Sequence, residues 1–323
     1  MIKVVFMGSP DFSVPTLEAL IADPRIDVCA VVTQPDKLAG RGKKLTPPAV
    51  KVCAEAHGIK VFQPAKLKTE EMYNALTELA PDFFVTIAYG KILRQAFLDI
   101  PKIAPLNLHA SLLPRLRGAA PIQWAVIRGE TKSGVCLMKM DAGMDTGPVY
   151  ARQETPIAPD ETAQTLHDKL SRISAGLLMQ HIFDIADNRL NPEPQTGEPT
   201  VAPILDKSLG AIDFDQDAAS LDCLCRGLNP WPAAFAMLDN KRVSILMTSH
   251  DDQTADALPG TILGFDNTRH ALKIACASGT LYVHQIQPEG KKPMNASAFF
   301  NGYRPSGKCL TKLEMQTRNS SSC

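Results

Sequence analysis

The feature that most constrains this chain is a rhythm: through its first 187 residues, short apolar runs alternate with helix-like stretches. Strand candidates fall at 2–7, 28–33, 60–62, 83–88, 106–109, 134–140 and 148–155. Helical candidates lie between and after them, at 13–21, 48–57, 70–79, 119–128 and 161–186. Pro48 suits the first turn of a helix, and Gly58 suits a stop just after His57. Such alternation predicts an α/β fold of right-handed strand–helix–strand units around a mainly parallel sheet. Its ligands are then expected outside the carboxyl ends of the strands.

The rhythm stops at Asn191-Pro192-Glu193-Pro194, and Pro199 and Pro203 follow. Prolines at this density continue neither a helix nor a central strand, so 190–207 reads as an extended linker. Beyond it, a helical segment at 218–226 precedes β-like runs at 235–238, 243–248, 260–264, 272–275 and 281–286. Several are separated by Gly, Asn or Asp turns, the pattern of a small β-barrel. The expected organisation is an α/β domain over 1–189, the linker, a β-barrel domain over 208–312 and a polar tail over 313–323.

Charge narrows the function classes. The 323 residues hold 34 Lys and Arg against 34 Asp and Glu, with 45% hydrophobic and 21% charged residues. This balance excludes a chain held to nucleic acid by bulk positive charge, and it excludes charge-driven disorder. RNA contact, if any, must use a local basic patch. No run approaches the roughly 20 apolar residues that span a bilayer, and the N-terminus reads as a first strand rather than a signal peptide. The 8 cysteines are scattered with no Cys-x-x-Cys pair, as expected of reduced thiols in the cytoplasm. No His or Cys cluster has zinc spacing, so no metal is expected.

Three motifs fail on inspection. Gly8-Ser9-Pro10 follows the first strand, but the later glycines of a dinucleotide fingerprint are missing. The run from Gly302 to Lys308 nearly spells a phosphate loop, yet Cys309 stands where a magnesium-binding hydroxyl belongs. Counting a calcium loop from Asp141 puts Arg152 at its bidentate glutamate position. A serine-hydrolase elbow is absent as well.

What remains is polar and local. Asn107 and His109 are two apart on a candidate strand and therefore share a face. A glycine-rich loop after the next strand, Asp141-Ala-Gly143-Met-Asp145-Thr-Gly147, supplies carboxylates. His moves protons near neutral pH, an Asn amide donates to a developing oxyanion, and Asp orients an imidazole. The segment 34–44 carries Lys37, Arg41, Lys43 and Lys44, with Gly40 and Gly42 flanking the arginine. It reads as a flexible basic loop suited either to solvent or to phosphates. Lys291-Lys292 is a weaker second basic spot.

The run Asn107-Leu-His109-Ala-Ser111-Leu112-Leu113-Pro114-Arg-Leu-Arg117-Gly118-Ala-Ala-Pro121, followed by Met140-Asp-Ala-Gly-Met-Asp145-Thr-Gly147, resembles the signature of folate-dependent formyltransferases. Thr33 to Leu45, Arg226-Gly-Leu-Asn-Pro-Trp-Pro232 and Gln287 to Met294 resemble the methionyl-tRNA branch of that superfamily. The resemblance runs from Phe6 to about Arg304. It implies a Rossmann-like formyltransferase domain, a C-terminal OB-like barrel that contacts tRNA, and a cytoplasmic monomer. It also implies transfer of formyl from 10-formyltetrahydrofolate to initiator methionyl-tRNA. The catalytic residues it implies are Asn107, His109 and Asp145, with Ser111, Leu112, Leu113 and Pro114 as the folate turn. Arg41, Lys43 and Lys44 are implied to meet tRNA. Ala110, Ser9 and Trp124 depart from the residues common at those places. Two alternatives stay open. One is formyl transfer to an amino sugar nucleotide, against which the basic loop and Asn-Pro-Trp-Pro speak. The other is a non-catalytic RNA-binding protein on the same scaffold, against which the three intact polar residues speak.

Overall fold

Five consecutive residues of the first strand, Val4 to Gly8, are buried, as a strand covered on both faces requires. In the computed structural model, which describes residues 1–39, 44–67 and 69–313, that strand lies inside a seven-stranded sheet. The elements up to the proline-rich segment are β1 (Ile2–Gly8), α1 (Val14–Ala22), β2 (Ile26–Val32), β3 (Lys37–Ala39), β4 (Lys44–Thr46), α2 (Ala49–Ala56), β5 (Val61–Phe62), α3 (Glu70–Glu78), β6 (Phe83–Ile87), α4 (Gln95–Leu98), β7 (Ala104–His109), β8 (Arg117–Gly118), α5 (Pro121–Ile127), β9 (Lys132–Lys139), β10 (Val149–Pro156), α6 (Ala163–Ala186) and β11 (Val201–Ala202). The sheet order is β10-β9-β7-β6-β1-β2-β5. β5, β2, β1, β6 and β7 run parallel, and β9 and β10 are antiparallel at one edge.

The described residues divide into two compact units. The first is Met1–Ile122, Lys132–Pro156 and Thr165–Pro203; the second takes Gln123–Thr131, Ile157–Gln164 and the chain from Ile204. In the first, one core packs Val5, Met7, Val32, Phe84 and Tyr89 with Leu76 of α3. Thr69 caps α3 by accepting the Met72 N–H at 3.2 Å, with Glu70 and Glu71 in the first turn.

The second unit holds α7 (Ala218–Gly227), β12 (Ala234–Leu238), β13 (Lys241–Asp251), β14 (Ile262–Asp266), β15 (Ala271–Ala275), β16 (Thr280–Pro288), β17 (Met294–Asn295) and α8 (Ala296–Tyr303). Its antiparallel sheet is ordered β12-β13-β16-β15-β14, with β17 on β16. Asp217 caps α7 and Asn295 caps α8.

Two expectations change. The two ends of the basic segment expected as a flexible loop are paired strands of a hairpin: Lys37 pairs with Thr46, Leu38 with Leu45 and Ala39 with Lys44. Arg41 and Lys43 lie outside the described residues, as does the tail from 314. The stretch expected as a linker is extended, but its residues 191–203 belong to the first unit. Glu193 and Val149 exchange backbone hydrogen bonds at 2.7 and 2.9 Å, and β11 pairs with β8. Those backbone groups are satisfied against neighbouring strands instead of by solvent.

Candidate active site

The chain winds outward from β1 in one direction through β2 to β5, and in the other through β6 to β7. The reversal falls between β1 and β6, the place where open sheets of this kind take ligands. Asn107 and His109 stand at the carboxyl end of β7, beside it. Asn107 pairs with Thr86 of β6 and Met138 of β9, and His109 pairs with Cys136. The two side chains share a face, as their spacing predicts.

His109 is buried, 7% exposed, between two acceptors. Its Nε2 lies 3.1 Å from the Leu116 carbonyl oxygen. A carbonyl only accepts, so the hydrogen of a neutral ring sits on Nε2. Nδ1 is then the nitrogen without a hydrogen in that tautomer. It faces Asp145 Oδ1 at 3.7 Å, an ion-pair distance beyond a hydrogen bond.

Asn107 is half-buried, and its amide meets only the Met138 sulfur, at 3.9 Å. Among the described residues it makes no other side-chain hydrogen bond. A strong donor at a strand's carboxyl end is thus left for a ligand.

Asp145 has φ of 56°, the left-handed region. Its Oδ2 accepts the Gly118 N–H at 2.8 Å. Asp141 Oδ1 braces the same loop by accepting from the Gly143 N–H at 3.1 Å and the Thr146 hydroxyl at 2.7 Å. Gly147 has no room for a side chain: a Cβ there would stand 1.9 Å from the Lys139 carbonyl oxygen.

The turn 111–114 follows β7 directly. Ser111 Oγ donates to the Arg115 carbonyl at 2.7 Å, and the Leu113 N–H meets Cys136 Sγ at 3.3 Å. Leu113 is buried, while Leu112 and Pro114 are half-buried. Leu112, Pro114 and Arg115 line an open groove of about 440 Å³ together with Thr196, Gly197, Glu198 and Thr200. Asn107, His109 and Asp145 do not line it.

Of the basic residues, Lys44 begins β4 and is exposed. The base of the hairpin is tied by Asp36, which accepts from Gln63 Nε2 at 2.7 Å and Lys51 Nζ at 3.0 Å. Those bonds hold the Asp36 carboxyl below the usual carboxylate range.

Sequence reasoning missed Gln195. Its Nε2 donates to the Asp145 and Gly147 carbonyl oxygens at 2.9 and 2.8 Å, and its Oε1 accepts from Arg117 Nη2 at 2.6 Å. The one available signal was a glutamine held between prolines.

The formyl transferase family matches residues 2–182, and that family's C-terminal domain matches residues 204–304. The chain belongs to the formyl transferase family. Among similar family members, the methionyl-tRNA formyltransferase of Desulfotalea psychrophila is 45% identical over 96% of this chain and 96% of its own length. That of Geotalea uraniireducens is 43% identical over 94% and 95%. In fold, this formyl transferase is similar to the Helicobacter canadensis N-formyltransferase solved with folinic acid and dTDP-3-aminofucose. That likeness has a TM-score of 0.65 at 18% identity, over 89% of this chain and 100% of that one. It is also similar to Aquifex aeolicus HypX solved with tetrahydrofolic acid, with a TM-score of 0.60 at 15% identity. There it covers 93% of this chain but about half, 47%, of the HypX chain.

Proposed function

We propose that this formyl transferase moves the formyl group of 10-formyltetrahydrofolate to the α-amino group of initiator methionyl-tRNA, as a cytoplasmic monomer. One observation carries the chemical part: the Asn107 amide, bonded among the described residues to a methionine sulfur alone, stands with a histidine and aspartate at the carboxyl end of β7, beside the switch point of the sheet. A free donor there fits a formyl oxygen.

The folate co-substrate supplies an acyl carbon bonded to nitrogen. A carbon–nitrogen bond forms to the α-amino nitrogen, the bond to the folate nitrogen breaks, and one proton passes from the first nitrogen to the second. The amine attacks only when neutral, and ordinary α-amino groups titrate at about 7.7–8.0, so roughly a tenth of it is ready at pH 7 and the rest must first lose a proton. Asn107 donates to the formyl oxygen as negative charge builds there. His109, with hydrogen on both nitrogens, adds positive charge nearby and keeps Nε2–H on the Leu116 carbonyl. Asp145 holds that charged ring and relays the proton.

In this reading the folate turn is Ser111 to Pro114. Residues 1–189 form the catalytic domain and 208–312 the tRNA-contacting domain. Arg41, Lys43 and Lys44 meet the acceptor end of the tRNA. The hairpin supports the last assignment, because paired strands β3 and β4 flank the positions of Arg41 and Lys43.

The test offers labelled 10-formyltetrahydrofolate with charged methionyl-tRNA and, separately, with an amino sugar nucleotide. Label is expected on the tRNA alone. Label on the sugar alone overturns the reading, and label on neither removes the enzyme assignment.

A further inference from the structure

We infer that Gln195 is a positioning residue for formyl transfer: its carboxamide clamps the loop that carries Asp145 and so sets that carboxylate against His109. The inference rests on the catalytic reading of Asn107, His109 and Asp145.

A side-chain amide offers two N–H hydrogens and an oxygen with two lone pairs. Gln195 uses all four. Nε2 donates to the Asp145 oxygen at 2.9 Å and the Gly147 oxygen at 2.8 Å. Oε1 accepts from Arg117 Nε at 3.2 Å and Nη2 at 2.6 Å. A reversed amide would set oxygen against two carbonyls and nitrogen against a guanidinium, so only one orientation is stable.

Gathering two carbonyls onto one nitrogen fixes the backbone from 145 to 147. Asp145 needs that help. A non-glycine residue in the left-handed region is strained and persists where its surroundings hold it. The loop is braced from the other side by close approach of Gly147 to the Lys139 carbonyl. The restraints close into a ring. Asp145 Oδ2 takes the Gly118 N–H, Gly118 adjoins Arg117, and the Arg117 guanidinium returns to Gln195.

The prolines acquire a purpose in this arrangement. Pro192 and Pro194 precede Gln195, and proline removes much of the backbone freedom that a held side chain must otherwise lose. Glu193 is pinned to Val149 by two backbone bonds, and beyond Gln195 the Leu116 N–H donates to Thr200 Oγ1 at 2.9 Å. A stiff segment anchored on both sides presents one amide to the catalytic loop.

The test uses the full chain with Gln195→Met, which keeps length and loses every bond, and Gln195→Glu, which keeps an acceptor for Arg117 but sets oxygen against the two carbonyls. Both are assayed well below their unfolding temperatures, with circular dichroism as a check on folding. Turnover is expected to fall on the order of 10- to 100-fold, with KM for both substrates changed less than about twofold. In an Asp145→Asn background Gln195→Met should cost far less, because the group it positions is gone. The His109 ring signal in NMR should also move in Gln195→Met, a readout that needs no acceptor substrate. Unchanged turnover with an unmoved His109 signal overturns the clamp, as does an equal loss in the Asp145→Asn background. If the wild-type chain formylates only another acceptor, the tRNA reading fails. The clamp is then judged by the His109 signal and by turnover on that acceptor.

Discussion

Asp145 Oδ1 stands 3.7 Å from His109 Nδ1 while the other oxygen of the same carboxylate is bound to the Gly118 N–H. One oxygen thus holds the backbone and the other faces the imidazole. Asp145→Asn keeps an acceptor for Gly118 and removes the charge beside the ring. Turnover should fall by about 10²–10³ with little change in unfolding temperature. Asp145→Ala should lose similar activity and also about 1–3 kcal/mol of stability, since the Gly118 N–H loses its partner. Equal stability of the two variants would contradict the division of labour between the oxygens.

Asn107→Ala tests the free amide. Among the described residues this side chain bonds only a methionine sulfur, so its removal should leave the melting temperature nearly unchanged. Turnover should drop by about 10²–10³, the usual cost of losing an oxyanion donor. A large stability loss with modest kinetic change would make Asn107 a packing residue instead.

The basic hairpin should have its own acid sensitivity. Bonds from Gln63 and Lys51 depress the Asp36 pKa. A depressed carboxyl stabilises the fold at pH above its unfolded value, about 3.9, and that contribution disappears as pH falls through the folded value. Wild type should therefore exceed Asp36→Asn in melting temperature at neutral pH. The difference should shrink steadily once pH drops below about 4. Arg41→Ala, beyond this clamp, should weaken use of tRNA and leave folate affinity in place. A collapse of folate affinity would put the loop in the folate site.

Much of the site was legible because local rules governed it. A period of two put Asn107 and His109 on one face, and alternating segments put that face at the carboxyl edge of a parallel sheet. The hairpin was not legible, because Gly40 and Gly42 dominate its pattern and each paired strand is only three residues long. Nor were β8 and β11, two residues apiece, too short for any periodicity. Gln195 was hidden for a different reason. Its partners lie 48 to 78 residues away in sequence, and no local pattern marks a glutamine whose four bonds are all tertiary. Prolines that end regular structure say where a chain is extended, and nothing about what it is extended along.

In the second unit, stability should depend on a buried pair of which the sequence motif held only Arg226. Asp222 and Arg226 are 2% and 8% exposed, four residues apart on α7, with Arg226 Nε 3.0 Å from Asp222 Oδ2. Thr248 donates to Asp222 Oδ1 at 2.6 Å, His250 Nδ1 lies 3.3 Å from Oδ2, and Arg226 Nη1 donates to the Glu161 carbonyl at 2.9 Å. Arg226→Met fills much of the same space but leaves a buried carboxylate short of its strongest partner, which should cost about 3–5 kcal/mol. Adding Asp222→Leu removes the stranded charge, so the double variant should recover part of that loss. Thermal unfolding of the two variants beside wild type reads both effects. A single-variant loss below about 1 kcal/mol, the range of exposed ion pairs, would mean the pair is solvated and its burial carries no energetic weight.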